Sequence, residues 1–161
     1  MTPLDPLLPP TKPYTFPLSG KVAFAGSRHG SPYPVEPVVK AIHQAGGSIR
    51  VGCARGVDQA VRASYPLATV LYASSFGVGK WSFAARTRAL VSASTALCLF
   101  PPDSGILGPG SSLALTTAIK HNLPIFCAGI KPTQADWQPY MLAGVSGFVL
   151  LPQTALFGAQ S

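Results

Sequence analysis

The chain has 161 residues, of which 47% are hydrophobic and only 11% charged, a makeup that suits one packed domain and argues against a chain disordered throughout. Arg, Lys or Pro interrupts every apolar stretch before it reaches the ~18 residues a membrane span needs, and the first twenty residues lack the basic start and apolar centre of a secretory leader. Twelve Lys and Arg against five Asp and Glu leave a charge of +7, which points to a polyanionic partner: nucleic acid, a nucleotide or an acidic surface.

A cytoplasmic protein without membrane contact is the expectation. Cys53, Cys98 and Cys127 lie in or beside apolar runs with no CxxC spacing and no paired His. They read as small buried hydrophobes in a reducing compartment, so neither a metal site nor a cofactor is expected.

Residues 1–20 are proline-spaced and predict an extended arm, draped over the domain or disordered. Lys21–Ala25 is a short apolar run ending in Gly26, which suits a buried strand. Pro34–Ala45 carries Val35, Val38, Val39 and Ile42 at helical spacing and stops at Gly46-Gly47. Strands at Ser48–Cys53, Leu67–Ala73, Thr95–Phe100 and Pro124–Ala128 then alternate with helices at Arg55–Tyr65, Trp81–Ser94 and Leu113–Asn122. The last thirty residues are less regular, with Val145–Leu151 as a candidate sixth strand. Near-continuous apolar strands alternating with helices predict an α/β single domain: a parallel sheet with helices on both faces. Right-handed crossovers place every strand-to-helix loop on one edge, where such sheets bind ligands.

Four of those loops carry the chemistry. In Gly26-Ser27-Arg28-His29-Gly30-Ser31 the glycines let backbone N–H groups approach an anion, and Arg28 adds a guanidinium suited to phosphate. In Gly52-Cys53-Ala54-Arg55-Gly56-Val57-Asp58 the spacing allows an Arg55–Asp58–Arg62 ion-pair ladder. Gly56 in a first helical turn makes more sense where a ligand or another backbone comes close. From Lys80 to Arg88 the side chains of Arg86 and Arg88 diverge by about 200°, so one of them faces the cleft, while Trp81 and Phe83 either stack on a base or join the core. The stretch from Ser104 to Ser112 is glycine-rich like a phosphate cradle, lacks the G-K-[ST] ending of a Walker A loop, and offers Ser111 or Ser112 as N-cap.

In order and spacing, FAGSR at 24–28, VGCARGVDQAVR at 51–62, FAARTRALV at 83–91, and LCLFPPDSG followed by GSSLALTTAIKHNLPIFC resemble the DNA processing protein A (DprA/Smf) branch of the SLOG superfamily. These proteins are Rossmann-like relatives of the LOG phosphoribohydrolases. The resemblance covers roughly Lys21–Ala128 and implies a Rossmann-like domain over 21–161 that binds single-stranded DNA through a basic pocket. It also implies a recombinase partner and a homodimer. It maps Arg28, Arg55, Arg86 and Arg88 onto motif arginines, and Gly26, Gly56, Asp58, Gly110 and Ser111 onto the other motif positions. Ser27, Lys80 and Ser112 complete the candidate set. Thr87 stands where that family usually has asparagine, and with neither its winged-helix tail nor its N-terminal helical domain in the sequence, a stand-alone module is the expectation.

The LOG enzymes resemble P-G-G-x-G-T-x-x-E, whose glutamate is catalytic. Aligning Gly110-Ser111 with that G-T puts Ala114 at the glutamate position, and Glu36 is the sole Glu in the chain. Cleaving an N-glycosidic bond needs a carboxylate. A non-catalytic module for single-stranded DNA or a nucleotide is therefore the leading expectation, with no catalytic residue. The alternatives are a nucleotide-processing or nucleotide-sensing protein using the same pocket, with Asp58 or Asp103 as its carboxylate, and a scaffold that self-associates through the apolar segment 141–157.

Overall fold

The computed structural model describes residues 14–152. One sheet contains β1 (Lys21–Gly26), β2 (Ser48–Gly52), β3 (Thr69–Leu71), β4 (Ala96–Phe100), β5 (Ile125–Ala128), β6 (Gln138–Leu142) and β7 (Val145–Leu150). The helices are α1 (Glu36–Gln44), α2 (Val57–Ser64), α3 (Lys80–Ser92) and α4 (Pro109–Lys120), with a short 3-10 turn at Ala73–Phe76. Strand order is β3-β2-β1-β4-β5-β7-β6. The first five strands are parallel; β7 runs antiparallel to β5, and β6 antiparallel to β7.

Alternate residues of the central strands divide between two layers. Val22, Phe24, Cys98 and Phe100 pack with Val38, Val39 and Ile42 of α1 and with Val57 and Val61 of α2. Ala23, Leu97 and Leu99 pack on the opposite face with Leu90 and Val91 of α3 and with Leu115 and Ala118 of α4. Strands buried on both sides have no polar face to show, which is why they read as continuous apolar runs. Helix α1 ends in a Schellman motif: Gly46 takes φ +81°, Gly47 N–H donates to the Ile42 carbonyl (2.9 Å) and Gly46 N–H to that of His43 (3.1 Å).

The expected fold class holds, with an antiparallel addition at one edge that the sequence reading left out. Strand β6 was not foreseen, and with β7 it forms a hairpin whose two turn residues, Ala143 and Gly144, both have positive φ (50° and 83°). Left-handed geometry at both turn positions matches the twist of the flanking strands. Leu142, Val145 and Val149 of the hairpin enter the chain's own core, so little of the described part of 141–157 is free for self-association; Met141 stays exposed. Residues 153–157 of that segment lie outside the described residues, as do residues 1–13 of the proline-rich arm.

The described end of that arm is built into the body. Phe16 is 1% exposed, its ring meets Phe126 edge-on at 6.3 Å, and its N–H donates to the Tyr140 hydroxyl at 2.9 Å. Among the described residues no helix is long and apolar enough to cross a membrane.

The chain steps outward from β1 through β2 and β3, then returns to the other side of β1 with β4. Loops leaving the carboxyl ends of β1 and β4 therefore run to opposite faces and leave a crevice between them. The loops that carry the candidate residues border it.

Candidate nucleic-acid interface

Gly26 ends β1 beside Phe100 at the end of β4. A Cβ there would stand 2.5 Å from the Phe100 carbonyl oxygen and 2.6 Å from Val57, so only glycine lets the β1 loop leave the sheet between its neighbours. Ser27 N–H then donates to the Phe100 carbonyl (3.2 Å), while its own carbonyl accepts from Val57 N–H (3.0 Å). Gly56 sits at that crossing with φ +69°, against the backbone of Ser27 and Arg28. Of the two reasons the sequence offered for this glycine, the contact found is with another backbone.

Between these loops, α3 and the start of α4 lies a cavity of about 520 Å³. It brings together Gly26, Ser27, Arg28, Asp58, Arg86, Gly110 and Ser111 of the candidate set, with His29, Thr87 and Ser104 added. A neighbouring hollow of about 370 Å³ is lined by Arg28, His29, Cys53, Ala54, Arg55 and Phe83. Arg28 and His29 border both. Lys80, Arg88 and Ser112 are exposed and line neither hollow, and Gly56 positions the loops without lining them. Of the two arginines on α3, Arg86 faces inward, as the helical angle requires of one of them.

Arg86 is only 7% exposed. Its Nη1 donates to Cys53 Sγ at 3.3 Å, and its Nε is buried with no hydrogen-bond partner. Gly52 makes room for it: a Cβ there would meet Asp58 Oδ2 at 2.7 Å and Arg86 Nη1 at 2.9 Å. Asp58, also 7% exposed, accepts the Ala54 N–H at 3.2 Å. Burial raises its pKa above the usual carboxylate value against the pull of Arg86, the Ala54 N–H, Arg62 and Arg28. Arg86 lines the cavity, and its guanidinium sets a fixed positive charge in the wall that favours an anion there.

Phe83 is 43% exposed. The Arg28 guanidinium carbon lies 5.6 Å from its ring centroid and that of Arg86 lies 5.8 Å away, both within cation–π range. Trp81 is exposed and folds over Gly77, away from both hollows.

Three local expectations are corrected. The ladder Arg55–Asp58–Arg62 does not form, because α2 begins at Val57, Arg55 stays exposed in the loop, and Arg62 Nη1 donates to the Gly52 carbonyl (2.7 Å). Neither Ser111 nor Ser112 is an N-cap: α4 begins at Pro109, Gly108 is the cap, and no side chain caps it. Both serines sit in the first turn, with Ser111 on the cavity, where the positive end of the helix dipole favours negative charge. Cys53 is not a buried hydrophobe, unlike Cys98 and Cys127. Hydrogen bonds from Ala73 N–H (3.4 Å) and Arg86 lower its thiol pKa, outweighing the opposing effect of burial, whereas burial drives Cys127 up to about 12. The signal that could have found it was position: Cys53 directly follows a strand in the richest of the four loops.

No family model matches the chain, and no curated protein matches it. Among solved structures, DNA processing protein A from Helicobacter pylori, described for its single-stranded DNA binding mode, matches with a TM-score of 0.57 and 20% identity. The match covers 73% of this chain and 67% of that one, and it shows that this chain folds like DNA processing protein A. A structure of PaaA matches with a TM-score of 0.38 and 16% identity over 70% of this chain and 41% of the other, too distant to support an argument.

Proposed function

We propose that the protein binds single-stranded DNA along the carboxyl edge of its sheet, as a non-catalytic module of the SLOG type acting in DNA processing. The observation that carries this reading is Phe83, a half-exposed aromatic face with the guanidinium groups of Arg28 and Arg86 on it and Arg55 on the same hollow. Such a set grips phosphates with cations and offers an unpaired base a surface to stack on, with little dependence on sequence. The like-folded protein from Helicobacter pylori, known for binding single strands, supports the same reading.

A filter-binding titration with short single strands over a range of salt is the test. Affinity should fall with salt, by a log–log slope of about 0.7 per phosphate contact for a single strand. Arg28→Ala combined with Arg55→Ala should weaken binding and flatten that slope. No binding at low salt, or binding untouched by the double substitution, rejects the reading.

The cavity beside Arg86 favours a second reading. At about 520 Å³ it is in the range that holds a small ligand, and a buried Asp58 stands beside the cationic Arg86 within it. Ala114, at the position of the LOG glutamate, is fully buried, and of the two other candidate carboxylates Asp103 is exposed and lines neither hollow, which leaves Asp58 as the carboxylate such chemistry would use. Release of base from nucleoside monophosphates, followed by chromatography and abolished by Asp58→Ala, would favour this nucleotide-processing reading.

A further inference from the structure

We infer that Asp58 makes the larger cavity selective for an anion that carries a proton of its own, a phosphate monoester or free phosphate, over anions that carry none, a phosphodiester or sulfate. The inference rests on the reading of this cavity as an anion site and not on the binding of DNA.

Asp58 and Arg86 are both more than nine-tenths buried, and both line the cavity. Opposite charges in one wall ordinarily pair. Here they do not: among the described residues the one ion pair is Lys40–Glu36, on α1. Two of the guanidinium groups that act on Asp58 are committed elsewhere, Arg86 to Cys53 Sγ at 3.3 Å and Arg62 to the Gly52 carbonyl at 2.7 Å. Asp58 Oδ2 accepts the Ala54 N–H at 3.2 Å. Oδ1 takes no hydrogen bond from the described residues and is not sealed from the space beside it. The wall thus holds cations and one carboxylate oxygen that still wants a donor.

An anion drawn in by Arg86, by Arg28 and by the first turn of α4 meets that oxygen. Two acceptors face to face repel unless a hydrogen stands between them. A phosphate monoester brings one, because its second ionisation falls at about pH 6 and its P–OH can donate to Oδ1. A phosphodiester or a sulfate stays fully ionised and has no hydrogen to give, so Asp58 must itself be protonated before either can sit there. Burial raises the Asp58 pKa, which eases that step as pH falls.

The other charged or titratable groups around Asp58 are Arg28 and His29 after β1, Cys53 after β2, Arg62 on the same helix and Arg86 on α3. The loop after β4 and the first turn of α4 line the cavity without charge. A protonated His29 would attract either kind of anion, so it does not create the selectivity.

Inorganic phosphate and sulfate are titrated separately into the full chain at about pH 6 and constant ionic strength, with binding read from the amide NMR shifts of Ala54 and Ser111. Phosphate should bind about ten- to a hundredfold more tightly despite its lower charge, the scale of one charge-assisted hydrogen bond made against one refused. Asp58→Asn, whose amide can donate, should erase most of that ratio by gaining sulfate, and His29→Gln should keep it. In His29→Gln, sulfate binding should strengthen as pH falls. Equal binding of the two anions, binding of neither, or an unchanged ratio in Asp58→Asn overturns the inference. If Asp58→Asn does not fold, the sulfate profile of His29→Gln decides, and a profile flat with pH overturns it. Thymidine 5′-monophosphate and an oligothymidylate with a 5′-phosphate or a 5′-hydroxyl then separate the sources. A stronger hold on the phosphorylated strand means that the cavity takes a strand end, and binding of the free anion and the mononucleotide alone means a small ligand; either agrees with the inference. If no strand binds at all, the proposed DNA binding falls while the phosphate-to-sulfate ratio still decides the role of Asp58.

Discussion

Replacing Gly56 with alanine separates a crossing of two loops from ordinary helix initiation. Gly56 has φ +69° and ψ −121°, a region in which a residue with a Cβ is strained by about 1–3 kcal/mol. The new methyl would fall well inside contact distance of the Ser27 carbonyl oxygen and the Arg28 carbonyl, all backbone atoms that cannot swing aside. The loops would have to part, with loss of the 3.0 Å bond from Val57 N–H to the Ser27 carbonyl, worth about 1 kcal/mol net. The total is about 2–4 kcal/mol, a large share of the 5–15 kcal/mol typical of a domain. At roughly 2–4 °C per kcal/mol for a domain of this size, Tm should drop by about 4–16 °C. Gly46→Ala is the control, because Gly46 also has positive φ (81°) but a Cβ there meets nothing within 4 Å. It should carry only the left-handed penalty of about 1–2 kcal/mol. Thermal melts followed by circular dichroism compare the two. Equal losses of Tm would refute the claim that backbone contact is what Gly56 is for.

Other substitutions probe the site and its support. Because burial raises the Asp58 pKa, the folded chain keeps that proton to higher pH than the unfolded chain does; the stability this lends is complete below the ordinary carboxylate value and lost as pH rises through the raised one. Asp58→Asn keeps an acceptor for the Ala54 N–H and should show a smaller fall in urea midpoint over that window, so profiles parallel to wild type would count against it. Phe83→Ala should weaken single-strand binding by about 1–3 kcal/mol while Phe83→Tyr retains it, measured by fluorescence anisotropy; equal affinity for all three removes stacking from the account. Phe16→Ala should cost about 3–5 kcal/mol in urea melts, since its ring is buried against Phe126, and a cost below 1 kcal/mol would mean that residues 14–20 are not part of the core.

The central strands β1, β4 and β5 were legible because they are buried on both faces, and α1 and α2 because each shows an apolar stripe; β3 is a half-exposed edge strand and α3 buries Ser82, Arg86 and Thr87 beside Leu90 and Val91, so those two rested on the alternation of strand and helix around them. The hairpin was not. Gln138, Pro139 and Met141 of β6 are exposed, so this edge strand lacks an apolar run, and its Ala-Gly turn is a weaker signal than Asn-Gly. The alternation of Val145, Gly147 and Val149 was the readable half, and it gave β7. At the site, loop composition pointed to Arg28, Arg55 and Arg86, but no spacing rule reveals that Arg86 reaches back 33 positions to Cys53, or that Gly52 is what leaves room for it. Helix boundaries moved for local reasons: Pro109 opens α4 four residues before the expected Leu113, which carries Gly110, Ser111 and Ser112 from loop into helix.

Lys21 and Thr95 meet across 74 positions of chain, and Ser27 is moulded by Phe100 at the far end of the same pairing. The basic rim therefore has no precursor in any short fragment: if it binds polyanions as proposed, a nascent or refolding chain acquires that ability only after β1 has zipped to β4, a long loop closure that comes slowly. The converse is thermodynamic. An anion bound on that rim as proposed would hold the middle of the sheet shut, and its occupancy would guard against unzipping of the whole molecule and not merely of the loops it touches.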